Sequence, residues 1–364
     1  MANIHLLLPI TCLCSLLPGV VFAYGETVEI EPNLEERALH FHTDRLRVDP
    51  GATDVTFDSY PAVRPLVYNA GLHEASRFYA DDMAENGCFP ASHSSCDGTS
   101  FADRVNRFYS GSPIGENIAK GQPDAEVAVF TSWLYSDGHR ENMLSDSWNE
   151  LGTGFAQGSD PLWVQDFGFD GGVVEPVITS GIHEPLWPNA ETDTQFFAAV
   201  FEPSGQDLAE MQLVVTSACF PMEVDRGSDG MMTYEGSAPT GPEGCMPYWF
   251  LGTTEQGEAI AYPTEGSLLA PVGGAECPTW TPNRRGAECA PASLGGLAGS
   301  GSGCSGADSS EDAYPDSNVG QNAEYGTCQL GGRQIPSRWL FIGLAGAIGL
   351  SRRRRSQEDR SASQ

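Results

Sequence analysis

The segment "SDGHRENML" (136–144) places a histidine one residue after a glycine, at the head of a run with helical character. A second compact phrase, "GENIAKG" (115–121), lies upstream and puts Glu116 beside Gly115 in the same way. Three more phrases bracket these two: "FPASHSSCDGTSFADRV" (89–105), "LGTGFA" (151–156) and "WVQDFG" (163–168). Their surroundings are periodic. Residues 34–48 carry Leu34, Ala38, Phe41 and Leu46 at roughly helical spacing. Residues 72–86 carry an apolar stripe of Leu72, Ala75, Tyr79 and Met83 with acids opposite, which predicts an amphipathic helix. A further helix is expected over 125–134, from Val127, Phe130, Trp133 and Leu134. Residues 151–156 and 161–169 read as the two strands of a hairpin with Gly and Asp in its turn. The first half of the chain is therefore mixed α and β.

Taken in order, these five phrases resemble the CAP superfamily, which unites cysteine-rich secretory proteins, antigen-five proteins and plant pathogenesis-related proteins. The shorter bacterial branch is the nearest match. The resemblance spans about 34–170 and implies a domain over 34–172. It implies an α-β-α sandwich with a cleft that holds histidines and acids. Position by position, His93 of "SHS" matches the first cleft histidine, Glu116 of "GEN" the first cleft acid and His139 of "GHR" the second histidine. The place of a second glutamate in many eukaryotic members is taken here by Ser136. That departure weakens any mechanism requiring two carboxylates.

The three residues leave several chemistries open. Two neutral imidazoles and a carboxylate could bind a divalent metal such as zinc, with water completing the shell. The same groups could act as acid and base near neutral pH. Glu116 could equally serve as scaffolding, accepting hydrogen bonds that fix the loops. Nothing like His-Glu-x-x-His occurs, and only the resemblance brings His93, Glu116 and His139 together in space. No Gly-x-Ser-x-Gly elbow surrounds Ser94 or Ser136. Around the cleft, Gly115 and Gly138 are expected to lend backbone freedom, Asn117 to pin a loop and Arg140 to pair with an acid. His73 and His183, without a ligand cluster nearby in sequence, are expected at the surface.

From about Pro176 the helical stripes vanish. Short β-type runs at 195–203, 210–220, 230–236, 245–254 and 257–263 are separated by Gly, Pro and Asp. They predict an all-β sandwich of Ig-like type over 176–275. The overall fold class is thus α+β. Residues 276–327 are rich in Gly and Ser and read as a linker.

The 364 residues carry 49 acidic and 19 basic side chains, a formal charge of −30. Such a surface repels phosphate and argues against a nucleic-acid partner. The N-terminus has an apolar stretch broken by Pro18-Gly19 and small residues before Tyr24, so 1–23 reads as a cleaved signal peptide. The C-terminus joins Cys328, an apolar run over 339–350 and the arginines 352–355. This ending over 328–355 resembles the myxobacterial C-terminal sorting tags, in which the cysteine is the processing or anchoring point. It implies at least a transient membrane contact through the tail. In an exported chain the remaining cysteines are expected as disulfides, with Cys88–Cys96 and Cys219–Cys245 the first pairs by proximity.

These readings converge on an exported cell-surface or outer-membrane-associated protein. Its expected activity is binding of a small apolar ligand, an envelope component or a protein through the His/Glu cleft. A metal-assisted hydrolase using the same cleft is one alternative, and a structural adhesin or spacer is another.

Overall fold

The computed structural model describes residues 31–90, 92–190 and 192–284. The expected signal peptide, most of the expected linker, Cys328, the apolar run and the arginine cluster lie outside the described residues. Among the described residues no helix is long and apolar enough to cross a membrane.

Helix α1 (Leu34–Val48) opens with a reciprocal cap. The Asn33 side chain accepts from the Glu36 amide at 2.8 Å, and Glu36 accepts from the Asn33 amide at 2.8 Å. Two short turns, α2 (Pro50–Thr53) and a 3₁₀ turn (Val55–Phe57), lead to strand β1 (Val67–Tyr68). Helix α3 (Ala70–Asn86) ends on Gly87 in the left-handed conformation. Helix α4 (Phe101–Val105) precedes strand β2 (Ile114–Lys120). Helix α5 (Asp137–Leu144) is followed by the hairpin β3 (Glu150–Gln157) and β4 (Pro161–Gly168).

The helix expected over 125–134 departs from the α form. Val127–Trp133 is a π-helix, and the Leu134 amide donates to the Val129 carbonyl five residues back. The wider turn brings the Trp133 indole N–H onto the Ile118 carbonyl, at 3.1 Å.

Sheet A has the order β1-β3-β4-β2, and strand alternation separates its two faces. Leu151, Trp163 and Phe167 pack with Leu39 and Phe41 of α1, while Leu162 and Val164 pack with Tyr79, Ala80 and Met83 of α3. Helices α1 and α3 thus cover opposite faces, giving an α-β-α layering. The α3 face is unusually close. A Cβ at Gly152 would lie 2.1 Å from the Leu72 carbonyl carbon, and one at Gly154 2.3 Å from the Ser76 oxygen. The glycines of "LGTGFA" exist to admit a helix backbone.

The rest of the described chain is mostly strand. Sheet B, in the order β5-β6-β10-β9, contains β5 (Val177–Glu184), β6 (Asp193–Phe201), β9 (Glu223–Ser228) and β10 (Met231–Pro239). Sheet C, in the order β14-β13-β11-β7-β8, contains β7 (Glu210–Val215), β8 (Ala218–Pro221), β11 (Gly244–Thr253), β13 (Ser267–Val272) and β14 (Trp280–Thr281). Strand β12 (Ala259–Tyr262) pairs with β11. The single run expected over 210–220 is split by Thr216, whose φ of 56° turns the chain between β7 and β8.

Strand β6 is buried on both faces. Phe196, Ala198 and Val200 join Leu213, Tyr248 and Phe250 of sheet C in one core. Phe197 and Ala199 join Phe41, Trp133 and Trp163 in another. Polar contacts cross the same boundary. Arg45 forks onto Asp225 at 2.8 and 2.9 Å, and Asp44 accepts from Thr179 at 2.9 Å and Ser180 at 2.7 Å. Sheet B is therefore a middle layer between α1 and sheet C.

Two expectations are corrected. Cys88–Cys96 forms, but Cys245 bonds to Cys277 and not to Cys219. Cys219 lies on β8, opposite Val214 of β7, which in turn faces Trp249 of β11. An intervening strand and an offset along β11 put Cys245 beyond disulfide reach. Cys219 is disulfide-bonded elsewhere. His73 and His183 are fully buried and not at the surface. His183 lies among Phe196 and Tyr248, with its Nδ1 2.9 Å from the Tyr248 hydroxyl.

Candidate functional site

Strand β2 is the edge of sheet A, and the site is built around it. Glu116 lies directly opposite Asp166 of β4, on the α3 side, where Ser76 donates to Asp166 at 2.8 Å. Asn117, one residue on, projects to the other side and donates to the His139 carbonyl at 3.1 Å and to Gln165 at 3.1 Å. Asn142 of α5 donates to the Glu116 carbonyl at 3.1 Å. One strand thus anchors the acid on one face and the His139 segment on the other. A Cβ at Gly115 would meet the Trp148 ring at 2.9 Å, so this glycine serves close packing. Gly138 opens onto free space.

The structure brings His93 and Glu116 into direct contact. His93 Nδ1 lies 2.8 Å from Glu116 Oε1. With the carboxylate accepting, Nδ1 carries the proton and Nε2 is left as a lone pair. His93 has a φ of 60°, a left-handed conformation uncommon outside glycine. The Cys88–Cys96 disulfide closes the loop that contains it. His139 is held differently. Its Nδ1 lies 2.8 Å from Ser136 Oγ, and its ring is tilted against Trp133 at 6.2 Å. Ser136, at the place of the second family acid, is therefore the partner of the second histidine.

Both imidazoles are half-buried, and burial lowers the pKa of each. Arg104 lowers His93 further, and His93 lowers His139. Both are neutral at pH 7. The acids shift the other way. Burial raises Glu116 against the pull of Arg104, and burial together with Glu116 raises Asp166 well above its ordinary value. Two buried carboxyls facing each other across a strand pair favour one proton between them.

Four contributors escaped the sequence reading. Arg104 is fully buried and donates to Glu116 Oε2, to the His93 carbonyl at 3.0 Å and to Ser95 Oγ at 3.4 Å. Tyr79 lies under its guanidinium at 3.6 Å. Asp166 and Ser76 complete the set. The usable signal for Asp166 was an aspartate inside a strand, where that residue is disfavoured. Arg104 gave none, since an arginine on a short helix normally faces water. Arg140 pairs with Asp137 at 2.5 Å and with the Tyr60 hydroxyl at 2.9 Å, away from the cleft acid.

The donor set can be tested for a divalent metal. His93 and His139 each offer Nε2, with no bond to it among the described residues. Glu116 does not offer a third donor, because its oxygens are engaged by His93 and Arg104. It stands behind His93 as the carboxylate behind a ligating histidine does. Among the described residues, the only trio of such donor atoms within 4.8 Å of one another is Asp82, Cys88 and Cys96, and those two sulfurs are bonded together. A closed three-ligand centre using Glu116 does not fit this arrangement.

Residues 44–167 match the Cysteine-rich secretory protein family, CAP. The uncharacterised protein YkwD of Bacillus subtilis is 34% identical over 106 residues, which is 29% of this chain and 40% of that protein. An extracellular protein containing a SCP domain, from Bacillus anthracis str. Ames, is 27% identical over 32% of this chain and 38% of its own, with a TM-score of 0.28. An outer surface protein of Borrelia burgdorferi is 19% identical over 38% of this chain and 97% of its own, with a TM-score of 0.32. The chain thus spans 40% of the Bacillus subtilis relative and 38% of the Bacillus anthracis one. His93, Arg104, Glu116, His139 and Asp166 all fall within residues 44–167, the part of this chain that matches the CAP family.

Proposed function

We propose that this chain is an exported surface protein that binds an envelope-derived ligand at the His93/His139 cleft. The observation that carries the proposal is the pair of half-buried neutral imidazoles, each tied at Nδ1 and each with Nε2 unbonded among the described residues. Neutral, partly desolvated rings suit the polar head of an otherwise apolar molecule, since they can hydrogen-bond it without a charge to desolvate. Export is supported by the disulfides Cys88–Cys96 and Cys245–Cys277, which persist in oxidising compartments. In this reading the two-sheet region is an Ig-like module that adds contacts or holds the cleft away from the surface. The segment 328–355, with Cys328 and the arginines 352–355, directs the chain to the envelope.

The test is native mass spectrometry with elemental analysis on the chain exported by a host of its own type and purified without chelator. A bound lipid-sized mass, absent from a His93→Ala/His139→Ala variant that keeps its melting behaviour, is the expected result. A divalent ion lost in that variant would instead favour the hydrolase reading. A folded protein that is empty in both forms would leave the histidines as scaffold and overturn the proposal.

A further inference from the structure

The His93 loop needs an agent that holds it. Its backbone at His93 is left-handed, and the Cys88–Cys96 bridge closes the loop ends without fixing that residue. Three amides of the loop are bonded: His93 donates to the Pro90 carbonyl at 3.0 Å, Ser95 to the Thr99 carbonyl at 2.8 Å and Cys96 to Asp82 Oδ2 at 2.7 Å, which leaves the His93 carbonyl and the Ser94 carbonyl to be held by side chains. Those side chains come from α4 and α3. Arg104 Nη1 donates to the His93 carbonyl and to Ser95 Oγ, Nη2 donates to Glu116 Oε2, and the guanidinium lies flat on Tyr79 at 3.6 Å. The Tyr79 hydroxyl donates to the Ser94 carbonyl at 3.0 Å. Residues 93, 94 and 95 are thus gripped in succession by one arginine and the ring beneath it.

We propose that Arg104 is the positioning residue of the cleft, setting the His93–Glu116 contact from both sides. One nitrogen of its fork fixes the backbone from which His93 projects. The other fixes the carboxylate that the His93 ring meets. The planar fork presents a separate nitrogen to each acceptor, whereas the donors of a lysine ammonium share one nitrogen and lack that span. The helix is matched to the task. The Ser100 side chain accepts from the Asp103 amide at 3.2 Å and caps α4, so the turn that aims Arg104 inward is formed locally. Arg107, one turn later, is exposed and donates to the Thr99 hydroxyl at 3.1 Å, away from His93 and Glu116, which makes it the control.

The inference rests on reading His93 as a working group of the cleft, but its test needs no ligand. Nitrogen-15 ring spectra of the full chain report which nitrogen of each histidine carries the proton. In the wild type His93 is expected as the Nδ1-protonated form, and the Arg107→Gln variant should match it. Arg104→Gln should shift His93 towards the Nε2-protonated form common in water, and should speed hydrogen exchange at residues 92–96 at least tenfold. The His139 signals should stay in place, because Ser136 holds that ring. If Arg104→Gln does not fold, Arg104→Lys decides, with the same His93 shift expected from the loss of one arm. A folded Arg104→Gln or Arg104→Lys with wild-type His93 signals and exchange overturns the proposal. That result would leave ligand binding at the cleft untouched, so the two failures are separable.

Discussion

At the scale of single residues, two buried titrating groups give opposite pH signatures. Asp166 holds its proton well above the ordinary value of 3.8, because it is buried and faces Glu116. As pH rises through that window, the unfolded chain releases a proton that the folded one retains, so stability falls. Asp166→Asn keeps the shape and removes the titration. Its melting temperature relative to wild type should rise between pH 4 and pH 8, by roughly 2–4 °C for each kcal/mol of relieved strain. A gap constant over that range would show that Asp166 is ionised throughout. His183 runs the other way. Burial lowers it from 6.5 to about 3, and Leu186 accepts from Nε2, so Nδ1 accepts from Tyr248. Below pH 6.5 the unfolded chain takes up a proton that the folded one refuses, and stability is lost down to the folded value. His183→Gln should be the less stable protein at pH 7, with its deficit shrinking by about 3 kcal/mol on going to pH 4. Parallel stability curves for the two proteins would refute that account. Neither residue was legible as buried, because a lone histidine or aspartate in a strand gives no face until its neighbours across the sheet are known.

At the scale of elements, the glycines distinguish packing from permissiveness. Gly152 of β3 admits α3, and a Cβ there would lie 2.1 Å from the Leu72 carbonyl carbon and 2.2 Å from the His73 amide nitrogen. Backbone cannot yield as a side-chain end can, so Gly152→Ala should cost about 3 kcal/mol or more. Gly138, in the first turn of α5, has open space around it and no left-handed backbone. Gly138→Ala should therefore stabilise by roughly 0.4–1 kcal/mol, through the unfolded chain alone. Urea titrations of both variants check the pair, and equal effects would mean that the α3–β3 approach is not what fixes Gly152. The same elements show what the sequence could disclose. The stripe of α3 and the phrases around Glu116 and His139 were readable, because one amphipathic face and short-range glycine patterning are local properties. Helix α1 was readable only in outline, since it is enclosed on nearly every side and even Arg37, His40 and Asp44 are buried. Arg104 was invisible because its three acceptors come from loop residues 93 and 95 and from β2.

At the scale of the whole molecule, the run "QFFAAVFEP" was the informative one. A continuous apolar strand, lacking alternation, signals burial on both faces. Phe197 and Ile182 of sheet B bury against α1, in the core that holds Trp133 and Trp163, while Phe196 buries towards sheet C. Each such side chain contributes roughly 2 kcal/mol by leaving water. Helix α1 and sheet B must then lose their structure together, because neither can expose that face cheaply. Phe197→Ala should destabilise by about 3–5 kcal/mol, the range for a large aromatic removed from a packed core. The informative readout is where the loss is felt. Native-state hydrogen exchange on the full chain should show protection falling by the same amount in β4, within the residues matching the CAP family, and in β11, in the outer sheet. If β11 loses protection while β4 keeps it, the two regions unfold independently and the shared core does not couple them. Equal loss would mean that the site at β2 inherits its rigidity in part from a sheet that lies beyond the residues matching the CAP family.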